Sequence, residues 1–422
     1  MPKKSEERFS SFQDLGKSLG HEPPAPKPHP PGAGRRFDRK DPFDPQQEFE
    51  REEKYLQAQL LQARNNHNRN WENSQLNKLG NLYRKNGRFD QAIDHHREVL
   101  ALKKEDDYAF AGLGLTYFQK RDYDQAIFWF NKQLNPIPTM NNLCRAYRHK
   151  GDYREAIRFA ERVLDKNPED VIAMNELGIL YRLLREYDES IRQFEKYRKL
   201  KPRDKQPLDG LGITYREQGD YDESIRWFEK KLEHYPNDKE ALDGLGITCR
   251  SKGDYHESIR WFEKKLAHYP NNKHALDGLG ITYREQGDYG ESIRWFKEKL
   301  EHYPNDKKAL DGLGITCREK GDYDQSIRWF KDLLKIEPDD KHALGDLAIT
   351  CREKGDFEQA IGWFEKLSKA ELGSSYAQRG LVTTYRKMGA TPKGRGGPEA
   401  VPVRCAGRLG SAGAAGGYWQ GI

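Results

Sequence analysis

Residues 211–244 read LGITYREQGDYDESIRWFEKKLEHYPNDKEALDG, and residues 279–312 read LGITYREQGDYGESIRWFKEKLEHYPNDKKALDG. The two stretches differ at four of their 34 positions. Working outward, the same frame opens at ten leucines: Leu79, Leu113, Leu143, Leu177, Leu211, Leu245, Leu279, Leu313, Leu347 and Leu381. Every step is 34 residues except the third frame's, which begins 30 residues after the second, and the last frame supplies half a unit. A fixed period of this length indicates a repeat architecture.

Each unit predicts two helices joined by a tight turn. Apolar residues recur at i, i+3 and i+7 in both halves: Leu208, Leu211 and Tyr215, then Ile225, Phe228 and Leu232. Gly219 ends the first helix and Pro236 ends the second, while Asp238 is placed to cap the helix that follows. The small Gly212 allows close helix approach. Such a hairpin has an apolar side that it cannot bury alone.

Composition favours an elongated molecule over a spherical one. Charged residues make up 33% of the 422 positions and the AVILMFWYC set 35%, with a mean hydropathy of −1.02. Globular proteins usually carry about 25% charged residues. No apolar run approaches the ~18 residues of a membrane span, and we expect no secretory leader. The five cysteines are at least 34 positions apart, which is no disulfide framework, so we expect a reducing, cytoplasmic environment.

The unit resembles the tetratricopeptide repeat, a 34-residue helix–turn–helix with Leu-Gly-x2-Tyr, then a small residue, Phe and Pro. The matching positions in two units are Leu211, Gly212, Tyr215, Ser224, Phe228 and Pro236, and Leu279, Gly280, Tyr283, Ser292, Phe296 and Pro304. The resemblance covers about residues 73–389. It implies an all-α, right-handed α-solenoid of stacked helical hairpins with a concave groove.

Four segments follow from this reading. We expect residues 1–45, which hold nine of the 21 prolines, to be a disordered segment, and residues 46–72 to form an N-terminal capping helix and linker. Residues 73–389 form the solenoid, with about nine repeats plus a half, the second shortened by four residues. Residues 390–422 hold nine Gly and six Ala and are expected to be a disordered tail. A changed reading frame in the tenth unit would also account for their composition.

The chain offers no catalytic constellation, and we expect no enzyme activity, no cofactor and no metal site. Gly16-Lys17-Ser18 lacks the glycine that a phosphate-binding loop needs five residues earlier. His95-His96 has no third ligand in its vicinity, and we expect it on a helix surface. The segments outside the repeats are too short and too biased in composition to form a catalytic domain of normal size.

The resemblance further implies that partners bind along the groove lined by the first helices. The family's groove positions carry over as Asp209, Ile213, Arg216 and Glu217, then Asp243, Ile247, Arg250 and Ser251, then Asp277, Ile281, Arg284 and Glu285, and then Asp311, Ile315, Arg318 and Glu319. Spacings of four and seven place the Asp, Ile and Arg of each unit on one helix face. Two interpretations stay open: the Arg row braces the stack by pairing with Asp of the adjacent helix, or it grips carboxylates or carbonyls of an extended peptide.

We therefore predict a non-enzymatic scaffold that binds a protein or peptide in this groove. A regulatory or adaptor subunit of a partner enzyme is the alternative, and a nucleic-acid-associated protein is less favoured. Four Arg against four Asp and three Glu leave the groove at −3, which disfavours a polyanion. Chaperone C-terminal tails are unsupported, because Asn77, Asn81, Asn141 and Arg145 occur without the clamp lysines of that branch of the family. The sequence does not identify the partner.

Overall fold

The computed structural model describes residues 44–133, 136–371 and 373–389. These residues form twenty α-helices and no strand. The helices are α1 Pro45–Asn65, α2 Arg69–Lys85, α3 Phe89–Leu102, α4 Asp107–Gln119, α5 Tyr123–Phe130, α6 Pro136–Lys150, α7 Tyr153–Lys166, α8 Val171–Leu183, α9 Tyr187–Leu200, α10 Lys205–Gln218, α11 Tyr221–His234, α12 Lys239–Lys252, α13 Tyr255–His268, α14 Lys273–Gln286, α15 Tyr289–His302, α16 Lys307–Glu319, α17 Tyr323–Ile336, α18 Lys341–Lys354, α19 Phe357–Ala370 and α20 Ser375–Lys387. From α2 onward they pair into hairpins, and each hairpin packs on the next, which makes an α-solenoid.

The boundaries of each hairpin follow from local chemistry. Gly219 ends α10 with a φ of 94°, a left-handed conformation that glycine adopts without strain. Asp220 then starts α11, its side chain accepting a hydrogen bond from the backbone N–H of Glu223. Asp238 caps α12 in the same way, accepting from the N–H of Ala241 at 3.0 Å. The predicted turn and caps of this unit are confirmed.

On most second helices a phenylalanine fills the joint between two hairpins. Phe228 is buried on α11 between Gly212 of its own hairpin and Gly244 of the next. A methyl group added at Gly244 would come within 2.5 Å of the Phe228 ring. Phe262 and Phe296 meet their own glycine pairs in the same manner. The absence of a side chain at these glycines therefore leaves room for the ring at each of these joints.

The third hairpin solves the same packing problem with different residues. Ala160 of α7 occupies the phenylalanine position and is fully buried. Its flanking positions, which are glycine in the units around Phe228, are here Cys144 and Glu176, and both are buried. Loss of volume on the second helix is thus matched by added volume on the two first helices that face it, as close packing requires.

Buried hydroxyls join neighbouring hairpins as well. Ser224 of α11 donates a hydrogen bond to the Gly212 carbonyl at 2.7 Å, and its Oγ lies 3.1 Å from Oγ1 of Thr248 on α12. The arrangement recurs with Ser258 and Thr282, and with Ser292 and Thr316. Every one of these hydroxyls is buried, so the small residue of the repeat is both a spacer and a hydrogen-bonding group.

The shortened unit loses part of its second helix. Helix α5 spans eight residues, whereas α11, α13 and α15 span 14 each. Helix α6 starts soon afterward at Pro136, and α5 still packs against it. Helix α5 is therefore six residues shorter than those helices, more than one and a half turns, while the joint to the third hairpin is kept.

Helix α1 covers the first hairpin. Phe49 is buried and meets Tyr83 of α2 in an edge-to-face contact at 5.8 Å, with the Arg88 guanidinium 4.1 Å above its ring. Leu56 and Leu60 join the same core. The expected disorder of residues 1–45 and of residues 390–422 falls, apart from Asp44 and Pro45, outside the residues that the structure describes; Pro45 is the first residue of α1.

His96 corrects one expectation. The sequence places the His95-His96 pair on a helix surface, but His96 is fully buried, at 0% exposure. It stands where the other hairpins carry the joint phenylalanine, between Gly80 and Gly112. Its Nδ1 lies 3.1 Å from Oδ1 of Asn77, and its Nε2 is buried without a hydrogen-bond partner among the described residues. The surface prediction failed because it ignored the register of the repeat.

Candidate functional site: the first-helix face

We use the name first-helix face for the surface of α10, α12, α14 and α16 that carries the predicted Asp, Ile, Arg and Glu rows. Successive first helices contact one another, so the rows run along the stack. The Asp and Ile rows are half-buried. The Arg row is half-buried too, except that Arg284 is buried. The residues Glu217, Glu285 and Glu319 are exposed, as is Ser251.

Buried lysines of the second helices neutralise the Asp row. Lys231 of α11 is 1% exposed, and its Nζ lies 2.7 Å from Oδ2 of Asp209. Lys265 pairs with Asp243, and Lys299 pairs with Asp277 at 2.5 Å. An unpaired ammonium would not be stable at such depth, because burial disfavours the charged form. Three of the four predicted Asp residues are therefore structural partners of a lysine.

The cap residue of the following helix completes this network. Lys231 Nζ lies 2.6 Å from Oδ1 of Asp238, and Lys205 approaches the other oxygen at 2.8 Å. Burial alone would raise the pKa of Asp238, but hydrogen bonds from the two lysines lower it to about 2. Burial raises the pKa of Asp209 in spite of its bond to Lys231. The lysines therefore stabilise the ionised form of the cap residue Asp238 more than that of Asp209.

The Arg row pairs with the Glu row of the next hairpin rather than with the Asp row. Arg182 of α8 meets Glu217 at 2.5 Å, Arg250 approaches Glu285 at 3.7 Å, and Arg284 approaches Glu319 at 3.8 Å. Arg318 alone in this set contacts an Asp, at 2.6 Å from Asp346 of α18. Asp346 occupies a glycine position of the repeat, as Glu176 does where it meets Arg148 at 2.7 Å.

Two charged side chains of the predicted set, Arg216 and Asp311, have no ion pair or hydrogen bond within the described part of the chain. Arg216 would need a carboxylate at position 251, which is Ser251 in this unit. Asp311 would need a lysine at position 333, which is the buried Leu333. Burial lowers the pKa of Arg216, and burial together with the nearby Asp346 raises the pKa of Asp311 to about 6. These are the two unmatched charges of the first-helix face.

The Ile row contributes to the core and to the surface together. Ile213 packs against the cluster formed by Phe228, Ala241 and Leu245, and Ile247 packs on the equivalent cluster one hairpin further. Each side chain keeps an exposed part on the first-helix face. The apolar Ile row therefore runs along the stack between two rows of charged residues.

The second helices carry a row of tryptophans, each one residue before the joint phenylalanine: Trp227, Trp261, Trp295, Trp329 and Trp363. Trp261 packs against the core cluster around Phe228, and Trp295 packs against the next one. Cations cover their rings: Lys264 lies 4.9 Å from the Trp261 centroid and Arg294 lies 4.6 Å from that of Trp295. Packing accounts for Trp261 and Trp295, because each ring lies against the core of a joint and is covered by a charged side chain.

Other chemistry is limited in the described residues. They hold no group of three or more His, Cys, Asp or Glu that could bind a metal ion. Cys144, Cys249, Cys317 and Cys351 are free and buried, and burial raises the pKa of the Cys144 thiol to about 12. None of the described helices has the length and apolar character required to cross a membrane.

Stacked two-helix hairpins of 34 residues, joined by a turn glycine and a core aromatic, define a helical-repeat protein of the solenoid class. Profiles of the tetratricopeptide repeat match residues 80–121, 108–135, 142–205, 206–271, 240–305, 278–341 and 318–382. The chain belongs to the tetratricopeptide repeat family.

Comparison with curated protein sequences finds no match. Among solved structures, the chain is similar to a tetratricopeptide repeat protein from Parabacteroides merdae, at 19% identity and a TM-score of 0.48, over 58% of this chain and 98% of that one. It is also similar to yeast Tom70, at 14% identity and a TM-score of 0.46, over 81% and 89% of the two chains. A third similar structure is the APC/C hetero-tetramer Cut9-Hcn1, at 15% identity and a TM-score of 0.42, over 74% and 76%.

Proposed function

We propose that the chain is a non-enzymatic scaffold that binds an extended segment of a partner protein along the first-helix face between Asp209 and Glu319. Tetratricopeptide repeats support interaction with proteins in general, and the first-helix face offers the same Asp, Ile and Arg chemistry at regular steps. The proposed compartment is the cytoplasm, because its reducing conditions suit four buried cysteines that remain free.

The half-buried Ile row flanked by charges carries the proposal. Ile213, Ile247 and Ile281 present apolar surface between side chains that can accept or donate hydrogen bonds. A fully braced face would hold its charges in pairs and leave nothing for a ligand. This face instead holds two charges without partners, and it holds Arg250 and Arg284 in loose pairs whose nearest atoms are 3.7 and 3.8 Å apart.

Bracing and binding are compatible roles for the Arg row. Glu285 and Glu319 keep 35% of their side chains exposed and are held loosely by Arg250 and Arg284, so an incoming carboxylate can replace either glutamate at little cost. A regulatory subunit that carries a partner enzyme would use the same face, and the difference lies in whether the captured protein has an activity that this chain changes. A nucleic-acid partner is less favoured, because three buried lysines only neutralise Asp209, Asp243 and Asp277, and the face has no net positive charge to offer a polyanion.

The test replaces four arginines of the first-helix face together, by Arg216→Gln, Arg250→Gln, Arg284→Gln and Arg318→Gln. Partners are captured from lysate with the purified full chain, mapped by cross-linking and then remade as synthetic peptides for titration. We expect affinity for the mapped peptide to fall at least tenfold, with cross-links on α10, α12, α14 and α16.

The matched control changes the same number of arginines in the same hairpins on the second helices, by Arg226→Gln, Arg260→Gln, Arg294→Gln and Arg328→Gln. All four are exposed. Thermal melting of both variants shows whether either set braces the fold. If the control set abolishes binding while the first set leaves it unchanged, the partner uses the second-helix side and the proposal is wrong.

A further inference from the structure

The pairing pattern on the first-helix face has two defects, and each arises at one position where this unit departs from the residue that three other units share. At the position of Ser251 the other three units carry Glu217, Glu285 and Glu319. At the position of Leu333 the three preceding units carry Lys231, Lys265 and Lys299. Each substitution removes the natural counter-charge of one residue on the face.

Arg216 is the charge that Ser251 leaves without a partner. It is half-buried on α10, between Arg182, which is paired with Glu217, and Arg250, which approaches Glu285. No carboxylate of the described residues forms an ion pair with its guanidinium, although the charge of Glu217 favours its ionised form while Arg182 and Arg250 disfavour it. A desolvated guanidinium flanked by like charges favours an anion from outside, and its planar fork suits a carboxylate.

Asp311 is the charge that Leu333 leaves without a partner. It is half-buried on α16, and Leu333 is packed into the core beside it. The charged groups around Asp311 are Asp346 and Asp340, which repel its ionised form, and Arg284 and His342, which favour it. Its pKa is raised to about 6, so an ionised Asp311 at neutral pH gains from a cation that approaches.

We propose that Arg216 and Asp311 bind opposite charges of one partner segment, so that the segment carries an Asp or Glu at the α10 end and a Lys or Arg at the α16 end. This inference rests on the proposed function, because it specifies the ligand of the same face. Ile247 and Ile281 lie on the helices between the two sites and take apolar side chains of the segment.

The spacing of the two charges on the partner follows from the stack. Arg216 and Asp311 are on first helices three hairpins apart. Packed helices lie ~8–10 Å apart, so the two sites are separated by roughly 25–30 Å along the face. An extended chain covers about 3.3 Å per residue, so the acidic and basic residues of the segment are about eight positions apart.

The experiment restores the missing partners instead of removing residues. Ser251→Glu supplies Arg216 with the glutamate of the other units, and Leu333→Lys supplies Asp311 with the lysine of the other units. The probe is a random dodecapeptide library displayed on phage, selected on the full chain, with the enriched peptides synthesised for titration. We expect them to pair an acidic and a basic residue seven to nine positions apart.

We expect Ser251→Glu to weaken binding of these peptides at least fivefold. In a selection on this variant, only the preference for the acidic residue should disappear. Leu333→Lys should do the same for the basic residue alone. Because Leu333 is buried, Asp311→Asn is the second variant at that end, and it removes the charge without altering the core. Gln325→Glu is the matched control, since it also restores the residue of the other units but on an exposed position of a second helix, and it should change nothing.

Acidity supplies an independent readout. Binding should weaken as pH falls through about 6, because Asp311 then takes up a proton, and this dependence should be absent in Asp311→Asn. A peptide with Gln in place of its basic residue is expected to lose the dependence as well.

The failure of this inference is distinguishable from failure of the proposed function. Peptides that bind without the charge pattern, or that ignore Ser251→Glu and Asp311→Asn but are lost from the four-arginine variant, would overturn the inference and leave the face as the binding site. An absence of any enriched peptide, or binding indifferent to the four-arginine variant, would overturn both.

Discussion

The ammonium nitrogen of Lys231 lies 2.6 Å from a carboxylate oxygen of Asp238, and both side chains are 1% exposed. Because Asp238 is also the N-cap of α12, one buried charge ties the end of one hairpin to the start of the next. The same lysine holds Asp209 on the first-helix face. Its removal would leave two carboxylates without their buried cation.

We expect Lys231→Met to destabilise the fold by about 3 kcal/mol, the usual effect of breaking a buried pair by removing one partner. Urea denaturation of the full chain measures it. Lys297→Met is the control, because Lys297 is exposed and surface changes of this kind stay within about 0.5 kcal/mol. Equal effects of the two variants would show that the buried network contributes nothing.

His96 makes stability sensitive to acid. Burial first, and then the positive Arg84 and His95, lower the pKa of His96 to about 4, whereas Asp106 raises it slightly. An unfolded histidine has a pKa of about 6.5, so the unfolded state binds more protons between these values. Stability is therefore complete above pH 6.5 and is lost as pH falls toward 4, by roughly 3 kcal/mol in total.

We expect His96→Phe to raise the melting temperature at pH 7 and to remove this acid-dependent loss. Phenylalanine fills the same place between two glycines in the hairpins of Phe228, Phe262 and Phe296, and it removes a buried nitrogen without a hydrogen bond. Denaturation at pH 7.5 and 4.5 compares the variant with the natural chain. An identical loss in both would mean that another group titrates.

Gly244→Ala tests the ring contact at the joints. The added methyl group would lie 2.5 Å from the Phe228 ring, so the hairpins must separate, at about 1–3 kcal/mol. Gly362→Ala is the control, since that glycine lies within helix α19 with open space around it, and alanine there should stabilise by about 0.5–1 kcal/mol. Opposite signs are expected in the same melting assay.

Phe49→Ala tests whether α1 is a cap that the solenoid needs. We expect a loss of about 3 kcal/mol, because a fully packed phenylalanine is removed from the core shared with α2. Tyr55→Ala, on an exposed position of α1, should be neutral. If Phe49→Ala leaves melting unchanged, the first hairpin is stable without its cover.

The hairpins, their turns and their family were predictable because a 34-residue period repeats the same local signals. The buried residues of the second helix were predicted less accurately. Ile225 and Leu232 are only partly buried, and the fully buried set on α11 is Ser224, Phe228 and Lys231. Those three residues lie at i, i+4 and i+7, which also fits one helix face, but a lysine is not expected there because burial of a charge needs a partner.

For the predicted groove residues, too, the sequence pattern predicted the helix face but not the contacts of each side chain. Spacing places Asp209, Ile213 and Arg216 on one face, yet it does not reveal which charge each one meets. The partner of Asp209 is 22 positions later and the partner of Arg182 is 35 positions later, distances that only the stacking defines. The signal was present in the sequence, because Ser251 and Leu333 break patterns that three other units keep.

The joints around Phe228, Phe262 and Phe296 are alike in residue and contact, and this makes the hairpins exchangeable. A misaligned recombination between two copies of the encoding DNA would add or remove 34 residues at once, and the new neighbours would meet through a joint that the protein already uses. The solenoid can thus become longer or shorter by whole hairpins, and no new type of interface is needed. The near identity of residues 211–244 and 279–312 is what such a history would leave behind.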